Sequence, residues 1–399
     1  MITRPAAALT AAGLRRVLAV LCGTEIISWG VLYYALPVLA PGIAADTGWA
    51  VSTVIAAFST GLVVAAVAGI PVGRLLDRWG PRPVMTAGSV LAGVGVVGIA
   101  TARSPIAFFA AWSVAGVAMA GVLYQPAFAA LTRWWGPRSV TALTGVTLLA
   151  GLASTVFAPL TATLAEHLSW RQTYLVLAVV LVVGTVPAHA FGLRGAWPDA
   201  GPGAAEQDPG AVSRSRAFVL LVAAVGLGSF AAFAVLVNQV PLFLERGMST
   251  GAAAWALGLG GVGQVLGRFG YRWLSAATGA GTRTVLVLGA GAACTGALAA
   301  VPGPVPLLIT ITMLTGAARG IFTLLQATAI SDRWGSAHYG RLGGILGAPA
   351  MLATALAPWA GSALADVLGG YPPVFALLAV VAVVAAALAA GSVPRTPTP

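Results

Sequence analysis

The sequence predicts an all-α membrane protein with twelve transmembrane helices arranged as two halves of six. Three observations predict this fold: an apolar composition, twelve apolar stretches of bilayer length, and arginines that fall almost entirely on one side of those stretches. Of the 399 residues, 59% are hydrophobic and 8% are charged, whereas a soluble globular protein usually carries about 25% charged residues. The chain has too few charges to cover a water-facing surface, so we expect lipid around it.

The apolar stretches give the positions of the predicted helices. A helix of about 20 apolar residues crosses the hydrocarbon core of a bilayer. With that length as the ruler, the predicted helices cover 17–39, 50–72, 84–101, 105–131, 139–162, 170–191, 216–243, 252–273, 283–301, 305–330, 341–367 and 371–391. The longest polar insert divides them into an N-terminal half (1–191), a central loop (192–215) and a C-terminal half (216–399).

The arginines predict the orientation of the chain. All 21 basic residues are arginine, and with a cytoplasmic N-terminus 17 of them lie on the cytoplasmic side. Only Arg103, Arg171 and Arg246 fall on the other side, and Arg319 lies within a helix. This sorting follows the positive-inside rule and predicts a protein of the cytoplasmic membrane with both termini and the central loop in the cytoplasm. Because the arginines form no single basic stripe, the net charge of +11 does not indicate a nucleic-acid partner.

The two halves repeat each other in sequence. A shift of 199 residues matches Gly121 with Gly320, Trp135–Gly136 with Trp334–Gly335, and Ala158–Pro159 with Ala357–Pro358. A shift of 194 matches Gly73–Arg74 with Gly267–Arg268, and Arg78–Trp79 with Arg272–Trp273. An even number of helices separates the copies, so they run in the same direction. Two parallel repeats with a solute site between them are a recurring transporter plan.

Several kinds of chemistry are excluded or disfavoured by the residue types. The chain contains no lysine, so it can form neither a Walker A phosphate loop nor a lysine Schiff base. Cys22 and Cys294 are isolated within apolar runs, and the three histidines show no metal-binding spacing. No nucleophile, base or metal set gathers at one depth of the predicted bundle. We therefore expect no enzyme activity, no cofactor and no metal.

The loop after the second predicted helix reads Gly73-Arg74-Leu75-Leu76-Asp77-Arg78-Trp79-Gly80-Pro81-Arg82. This run resembles the G-x-x-x-D-R-x-G-x-R loop of the major facilitator superfamily, in its spacing and in its position on the cytoplasmic side. The resemblance covers nearly the whole chain, because the helix count, orientation, central loop and repeat agree with it. It implies the fold of that superfamily and the transport of a solute by alternating access.

The same loop predicts a conformational latch made by Gly73, Asp77, Arg78, Gly80 and Arg82. A carboxylate at the membrane boundary can pair with an arginine and with the positive N-terminal end of a neighbouring helix. Such contacts can form in one conformation and break in another. The alternative is a solvated charge cluster that only sets the topology, and both can hold together. In the second copy Tyr271 replaces the aspartate, which predicts a weaker second latch.

Other motifs are similar to one branch of the superfamily. Trp134-Trp135-Gly136-Pro137-Arg138 resembles the aromatic and arginine loop of monocarboxylate and oxalate–formate type carriers. Trp170-Arg171, and Gly361 with Asp366, are also similar to that branch. The fifth helix lacks the complete G-x-x-x-G-P-x-x-G-G pattern of proton-coupled drug exporters, and the fourth lacks their arginine. The resemblance therefore favours a carrier of small organic anions over a drug exporter.

Two charged residues lie within predicted helices, Glu25 in the first and Arg319 in the tenth. A charge inside the bilayer costs about 2.5–3.5 kcal/mol on insertion scales, so it indicates a functional site. We predict that the planar guanidinium of Arg319 binds an anionic solute. Because burial favours the neutral carboxyl group, Glu25 could take up and release a proton during transport. Two alternatives stay open: the two charges neutralise each other, or Glu25 reaches the cytoplasmic interface.

Further polar and aromatic residues lie in helices that would line a cavity, and they form a second group of predicted solute contacts. An amide or phenol inside a bilayer needs a hydrogen-bond partner, which either a solute or a neighbouring helix can supply. The predicted contacts are Tyr33, Tyr34, Tyr124, Gln125, Asn238, Gln239, Gln264 and Gln326.

Together these features predict a secondary active transporter of a small solute, expected to be an organic anion such as a carboxylate, moved with a proton or by exchange. The alternative is a proton-coupled exporter of amphiphilic drugs or metabolites, which an apolar cavity around Arg319 would favour. The expected partners are the solute, a proton and the lipid bilayer, and we expect the chain to act as a monomer.

Overall fold

The computed structural model describes residues 9–198 and 208–394, which are helical and contain no β-strand. Three short segments have other helical forms: Gly30–Tyr34 and Ala188–Gly192 are π-helical, and Gly136–Arg138 is a 3-10 turn. The α-helices are α1 (Ala11–Trp29), α2 (Ala35–Thr47), α3 (Val51–Trp79), α4 (Pro81–Thr101), α5 (Pro105–Val122), α6 (Tyr124–Trp135), α7 (Ser139–Ala150), α8 (Ala153–His167), α9 (Trp170–Pro187), α10 (Pro209–Arg214), α11 (Arg216–Glu245), α12 (Thr250–Ala277), α13 (Ala280–Ala300), α14 (Val305–Thr328), α15 (Ser331–Trp334), α16 (Tyr339–Leu368) and α17 (Tyr371–Ala390).

Ten stretches of the described chain are long and apolar enough to cross a bilayer. One of them, Pro105–His167, has 63 residues, about three times the length that a single crossing needs. The prediction of an all-helical, multi-pass membrane protein is confirmed, whereas the count of twelve crossings stays a prediction. Arg4, Arg395 and the part of the predicted central loop at 199–207 lie outside the described residues.

Serine residues that precede the apolar runs cap the N-termini of several helices. Ser104, Ser215 and Ser249 precede α5, α11 and α12, and each side chain accepts a hydrogen bond from the backbone amide three residues on, at 3.3, 3.3 and 3.2 Å. The first amides of a helix have no partner inside the helix, and a serine in front of it supplies one. These serines explain why the helices begin where the polar loops end.

Two compact units make up the chain. The first comprises the described residues of Met1–Gln207 with Gly335–Ala348, and the second those of Asp208–Trp334 with Pro349–Pro399. In the first unit α5 packs on α3 and α4, and α9 packs on α4; in the second, α17 packs on α11 and α13, and α12 packs on α14. The predicted division at 1–191, 192–215 and 216–399 stays a prediction.

Similar contacts occur in the two units, and their acidic residues are related by the 199-residue shift. Asp46 accepts a hydrogen bond from Trp170 Nε1 at 2.8 Å, at the start of α9. Its counterpart Glu245 accepts one from the backbone amide of Tyr371 at 2.8 Å, at the start of α17. In both units, therefore, an acidic side chain fixes the beginning of the last long helix.

Glycines bring α12 and α14 into backbone contact within the second unit. A side chain on Gly263 would overlap the backbone of Met313, and one on Gly316 would overlap the carbonyl oxygen of Gly260. Small residues allow such close approach, which is a main source of helix association in bilayers. This contact also determines where the polar residues of the two helices meet.

Replacement of Gly316 by valine is expected to destabilise the protein by about 3 kcal/mol or more, because backbone cannot move aside as a flexible side chain can. The measurement is the melting temperature of the purified protein, with Gly261→Val as the matched control, since a Cβ built on Gly261 meets no atom within 4 Å apart from its chain neighbours and the nearby backbone of its own helix. Equal melting temperatures for the two variants would contradict this account of the α12–α14 contact.

Candidate functional site

A cavity of about 50 Å³ lies in the second unit, bordered by α11, α12, α13, α14 and α17. Most of its lining is apolar, including Val235, Leu257, Leu288 and Phe322. The polar side chains that line it are Gln239, Thr295, Thr312, Thr315 and Arg319. The cavity therefore combines one cationic group and a few hydrogen-bonding groups with an apolar wall.

Arg319 extends from α14 into this cavity and is half-buried. Its Nη2 donates a hydrogen bond to Oε1 of Gln264 on α12 at 2.8 Å. The two residues can meet because Gly320 has no side chain, and a Cβ there would overlap the Gln264 carbonyl oxygen. Gln264 thus orients the guanidinium, whose planar set of N–H donors suits a carboxylate.

Besides Gln264, the three other predicted amides of the second unit have partners on neighbouring groups. Gln239 is buried and its Nε2 donates to Thr312 Oγ1 at 2.8 Å, so this pair forms part of the cavity wall. Asn238 Nδ2 donates to the Ala234 carbonyl oxygen at 2.8 Å. Gln326 Nε2 donates to the hydroxyl of Ser229 at 2.8 Å. Of the three, only Gln239 shares the cavity with Arg319.

Glu25 lies on α1 in the first unit, and its side chain is fully buried. Its Oε2 accepts a hydrogen bond from Trp29 Nε1 at 3.0 Å, whereas Oε1 is buried and has no hydrogen-bond partner in the described structure. A charged carboxylate with an unpaired oxygen in this position would cost several kcal/mol, and the neutral carboxyl group costs much less. Burial within the protein does not set the depth of the side chain in the membrane, so the alternative of a position at the cytoplasmic interface stays open.

An aromatic cluster surrounds the Glu25–Trp29 pair. The Trp29 ring lies 5.4 Å from Tyr33 and 5.0 Å from Tyr124, and the Tyr33 ring lies 5.2 Å from Tyr34, measured between ring centroids. These tilted or edge-on arrangements are the favourable ones for aromatic pairs. The cluster consists of Trp29, Tyr33, Tyr34, Phe58, Trp112, Tyr124 and Phe128. The structure therefore brings three predicted tyrosines together with Glu25.

The sequence reasoning missed two features of this region. Trp29, which joins Glu25 to the tyrosines, was not singled out, although it stands four residues after Glu25, where a helix places the two side chains on one face. Gly30–Tyr34 forms a π-helix, a rare element that often occurs at functional sites. A side chain on Gly30 would overlap the ring of Phe157, which explains the glycine.

Gln125 occupies a different part of the first unit. It follows Tyr124 at the start of α6, and its side-chain amide lies against Gly343 and Gly347 at the beginning of α16. A Cβ on Gly343 would lie 2.9 Å from Gln125 Oε1, and one on Gly347 would overlap Nε2. The predicted solute contact is therefore packed against glycines of a neighbouring helix.

The predicted latch residue Asp77 lies at the end of α3, beside the first turn of α16. Its two carboxylate oxygens accept hydrogen bonds from the backbone amides of Gly340 and Arg341, at 2.9 and 2.7 Å. These amides have no partner inside α16, and a negative charge is favourable at a helix N-terminus. Gly73 makes the approach of α3 possible, because a side chain there would overlap the backbone of Gly340.

The other predicted latch residues surround the turn between α3 and α4. Gly80 has a φ of +78°, a conformation that favours glycine, and Pro81 follows as the first residue of α4. Arg82 Nε donates to the Ala190 carbonyl oxygen at 2.8 Å. Arg78 is exposed and lies 6.0 Å from the ring of Trp79. Gly80 and Arg82 fix the turn, whereas the Asp77 bonds connect it to α16.

The second copy of this loop is built differently. Tyr271, which matches Asp77 in the 194-residue shift, is fully buried, and its hydroxyl is hydrogen-bonded to Thr328. Arg283 forms an ion pair with Asp332 and lies 5.7 Å from the Tyr271 ring. These residues are all joined within the second unit, so the tyrosine belongs to a closed polar cluster.

Arg333 fastens the segment after α17 to this cluster. Its Nε donates to the Ser392 carbonyl oxygen at 2.9 Å, and its Nη2 donates to Thr284 Oγ1 at 2.8 Å. Burial lowers the pKa of Arg333 to about 10, which leaves the guanidinium charged at neutral pH. We assign it a structural contact rather than a place in the cavity.

Apolar helices of bilayer length define a multi-pass membrane protein, and its second unit contains a cavity lined in part by an arginine. The sequence model of the Major Facilitator Superfamily matches residues 21–305 and, in a second match, 219–399. The chain therefore belongs to the major facilitator superfamily, as the resemblance of its Gly73–Arg82 loop indicated. This family assignment supports the prediction of a transporter rather than an enzyme.

Similar proteins agree with this assignment. Mouse monocarboxylate transporter 11 is 30% identical over 251 residues, which cover 60% of this chain and 54% of that protein. The predicted likeness to the monocarboxylate branch is confirmed, although the chain spans about half the length of the curated relatives it matches. The E. coli fucose:proton symporter FucP is 17% identical with a TM-score of 0.70, covering 93% of this chain and 97% of that one. The human organic anion transporter MFSD10 is 16% identical, also with a TM-score of 0.70, covering 94% and 99%.

Proposed function

We propose that this chain is a secondary active transporter that moves a small organic anion across the cytoplasmic membrane by alternating access. The observation that carries the proposal is Arg319, a cation on the wall of a largely apolar cavity. The guanidinium group of an arginine pairs with a carboxylate through two parallel hydrogen bonds. This interaction is stronger where little water is present. The monocarboxylate transporters among the relatives support the same class of solute.

The size and lining of the cavity favour a solute with one carboxylate and a short apolar part. Arg319 would hold the carboxylate, with Gln264 fixing the guanidinium, and Val235, Leu288 and Phe322 would contact the apolar part. The Gln239–Thr312 pair could exchange its internal hydrogen bond for one to the solute. A second carboxylate would find no further cationic side chain among the described residues that line this cavity.

We propose that Glu25 is the proton-binding group that couples a proton to this movement. Its complete burial, its unpaired Oε1 and its bond to Trp29 support the proposal. A carboxyl group that must become charged to release its proton needs a change of surroundings, which a switch in access supplies. The alternative that Glu25 and Arg319 only neutralise each other is tested by replacing each of them with glutamine.

We propose that Asp77 acts as a latch that stabilises one conformation of the transporter. Its bonds to the Gly340 and Arg341 amides join the end of α3 to the beginning of α16, which are far apart in sequence. Contacts of this kind can break when helices move and form again when they return. The buried contacts of Tyr271 support a weaker latch, or none, in the second copy.

A second function has one observation in its favour. The wall of the Arg319 cavity is mostly apolar, as the site of an exporter of amphiphilic compounds would be. Under either function we propose that both termini are cytoplasmic, as the arginine sorting predicts, and that the chain acts as a monomer.

Flux into proteoliposomes separates the two functions. We expect the purified protein to take up labelled pyruvate faster when the outside is acidic, and to leave labelled succinate and glucose at the background rate. Liposomes without protein give that background. Proton-driven efflux of a cationic dye without pyruvate uptake would contradict the anion proposal and support the exporter.

A further inference from the structure

Trp197 lies near the start of the predicted central loop (192–215) and packs against the latch residues Asp77 and Gly80. Its indole Nε1 donates a hydrogen bond to the backbone carbonyl oxygen of Asp77 at 3.2 Å. Because α3 ends at Trp79, the Asp77 carbonyl is one of the last carbonyls of that helix, which have no partner inside it. Pro81, four positions on, has no N–H to offer. The tryptophan supplies a donor to this carbonyl, at the residue whose carboxylate binds α16.

The ring of Trp197 also contacts Gly80 and Arg133. It lies against Gly80, where a Cβ would be 3.0 Å from the indole, and its centroid is 4.6 Å from the guanidinium carbon of Arg133. The charge of Arg133 acts on the Asp77 carboxylate. One side chain thus contacts the backbone of Asp77, the turn that follows it and the nearby cation.

Further contacts hold the segment that carries Trp197. Trp134 packs edge-on against the Trp197 ring at 5.5 Å, and its own Nε1 donates to the Ala196 carbonyl oxygen at 3.1 Å. Arg16 donates to the carbonyl oxygen of Arg194. The segment 194–197 is therefore held by side chains of α1 and α6.

We propose that Trp197 is a positioning residue of the Asp77 latch, so that the connection leading out of the first unit stabilises the bonds between Asp77 and the first amides of α16. The inference rests on the latch proposed above. It assigns to the docked segment 194–197 a role in the conformational equilibrium: undocking of the segment would weaken the latch, and docking would strengthen it.

Hydrogen exchange at the amides of Gly340 and Arg341 reports the latch directly and requires no substrate. We expect Asp77→Asn and Trp197→Ala each to raise the exchange rate of these amides roughly fivefold, as the loss of one hydrogen bond of typical net strength would do. Trp197→Phe keeps the ring but loses the N–H, so an intermediate increase is expected. Trp255→Ala removes a tryptophan that is 73% exposed on α12 and should change nothing at these amides.

The double variant decides whether Trp197 acts through Asp77. In the Asp77→Asn background, Trp197→Ala should add no further exchange, because residues that act as a unit are not additive. The proposal is overturned if Trp197→Ala frees the amides of 194–197 but leaves those of Gly340 and Arg341 unchanged, or if the two effects add. If Trp197→Ala does not fold, Trp197→Phe alone and with Asp77→Asn gives the same comparison.

Pyruvate uptake by the same variants links the latch to transport. A latch effect should change the maximal uptake rate of Trp197→Ala and Asp77→Asn by the same factor and leave KM within twofold, roughly the scatter expected for distant sites. A changed KM with an unchanged maximal rate would contradict the positioning role. Absence of pyruvate uptake in the wild type would overturn the anion proposal, while the exchange measurement would still test Trp197.

Discussion

Arg319→Gln is expected to reduce pyruvate uptake roughly 10- to 150-fold, because a hydrogen bond to a charged group contributes about 1.5–3 kcal/mol and every 1.4 kcal/mol is a factor of ten. Glutamine keeps a polar side chain on the cavity wall, but it is shorter and has no charge and no guanidinium fork. The loss should appear in KM, since the proposed role is to bind the solute. The measurement is initial uptake rate against pyruvate concentration in proteoliposomes.

Two further variants make the Arg319 result specific. Arg272→Gln removes an exposed arginine of α12 and should leave uptake unchanged. Arg319→Lys keeps the charge but loses the fork, so it should recover only part of the activity. Wild-type uptake by a well-expressed Arg319→Gln variant would show that the cavity around Arg319 does not bind the solute.

Glu25→Gln is expected to abolish the stimulation of uptake by a pH gradient, because glutamine can neither take up nor release a proton. Exchange of external labelled pyruvate for internal unlabelled pyruvate should continue, since it needs no net proton movement. The amide can still accept the hydrogen bond of Trp29, so the aromatic cluster should persist. Uptake and exchange are measured on the same proteoliposomes, with and without an acidic outside.

Glu166→Gln is the matched control for Glu25, because it replaces an exposed glutamate of α8 and should keep the full pH stimulation. If Glu25→Gln also keeps the stimulation of uptake by a pH gradient, Glu25 is not the proton-binding group. If the variant loses uptake and exchange together with its fold, and Arg319→Gln does the same, both charges have a structural role and their proposed roles in transport are contradicted.

The sequence predicts the helices well because their cause is local. Apolar runs of bilayer length must be helical where no water can satisfy the backbone, and polar residues such as Ser104 and Ser215 then mark the helix starts. For Asp77 the sequence predicted two kinds of partner, an arginine and the N-terminal end of a neighbouring helix, and the structure shows the second kind. The amides of Gly340 and Arg341 are such partners.

The partners of individual polar side chains depend on packing that the sequence does not show. Asn238 and Gln326 were as plausible as Gln239 from sequence, yet the first two bond to Ala234 and Ser229 while only Gln239 lines the cavity. The difference arises from the rotation of each helix about its axis, which the whole bundle sets.

Long-range contacts of the loops were equally hidden. Trp197 lies in a polar stretch that sequence reasoning treated only as a connection, and its bond to Asp77 spans 120 positions of the chain. The absence of an N–H on Pro81 was visible in the sequence, but the residue that donates to the Asp77 carbonyl was not. The same holds for Trp29, whose bond to Glu25 links the tyrosines to a buried carboxyl group.

Calorimetric titration of the purified protein with pyruvate tests most directly whether Arg319 forms the solute site. We predict saturable heat from one site in the wild type and in Arg272→Gln, and loss of that heat in Arg319→Gln. Binding of pyruvate with the same Kd in Arg319→Gln and in the wild type would contradict the account.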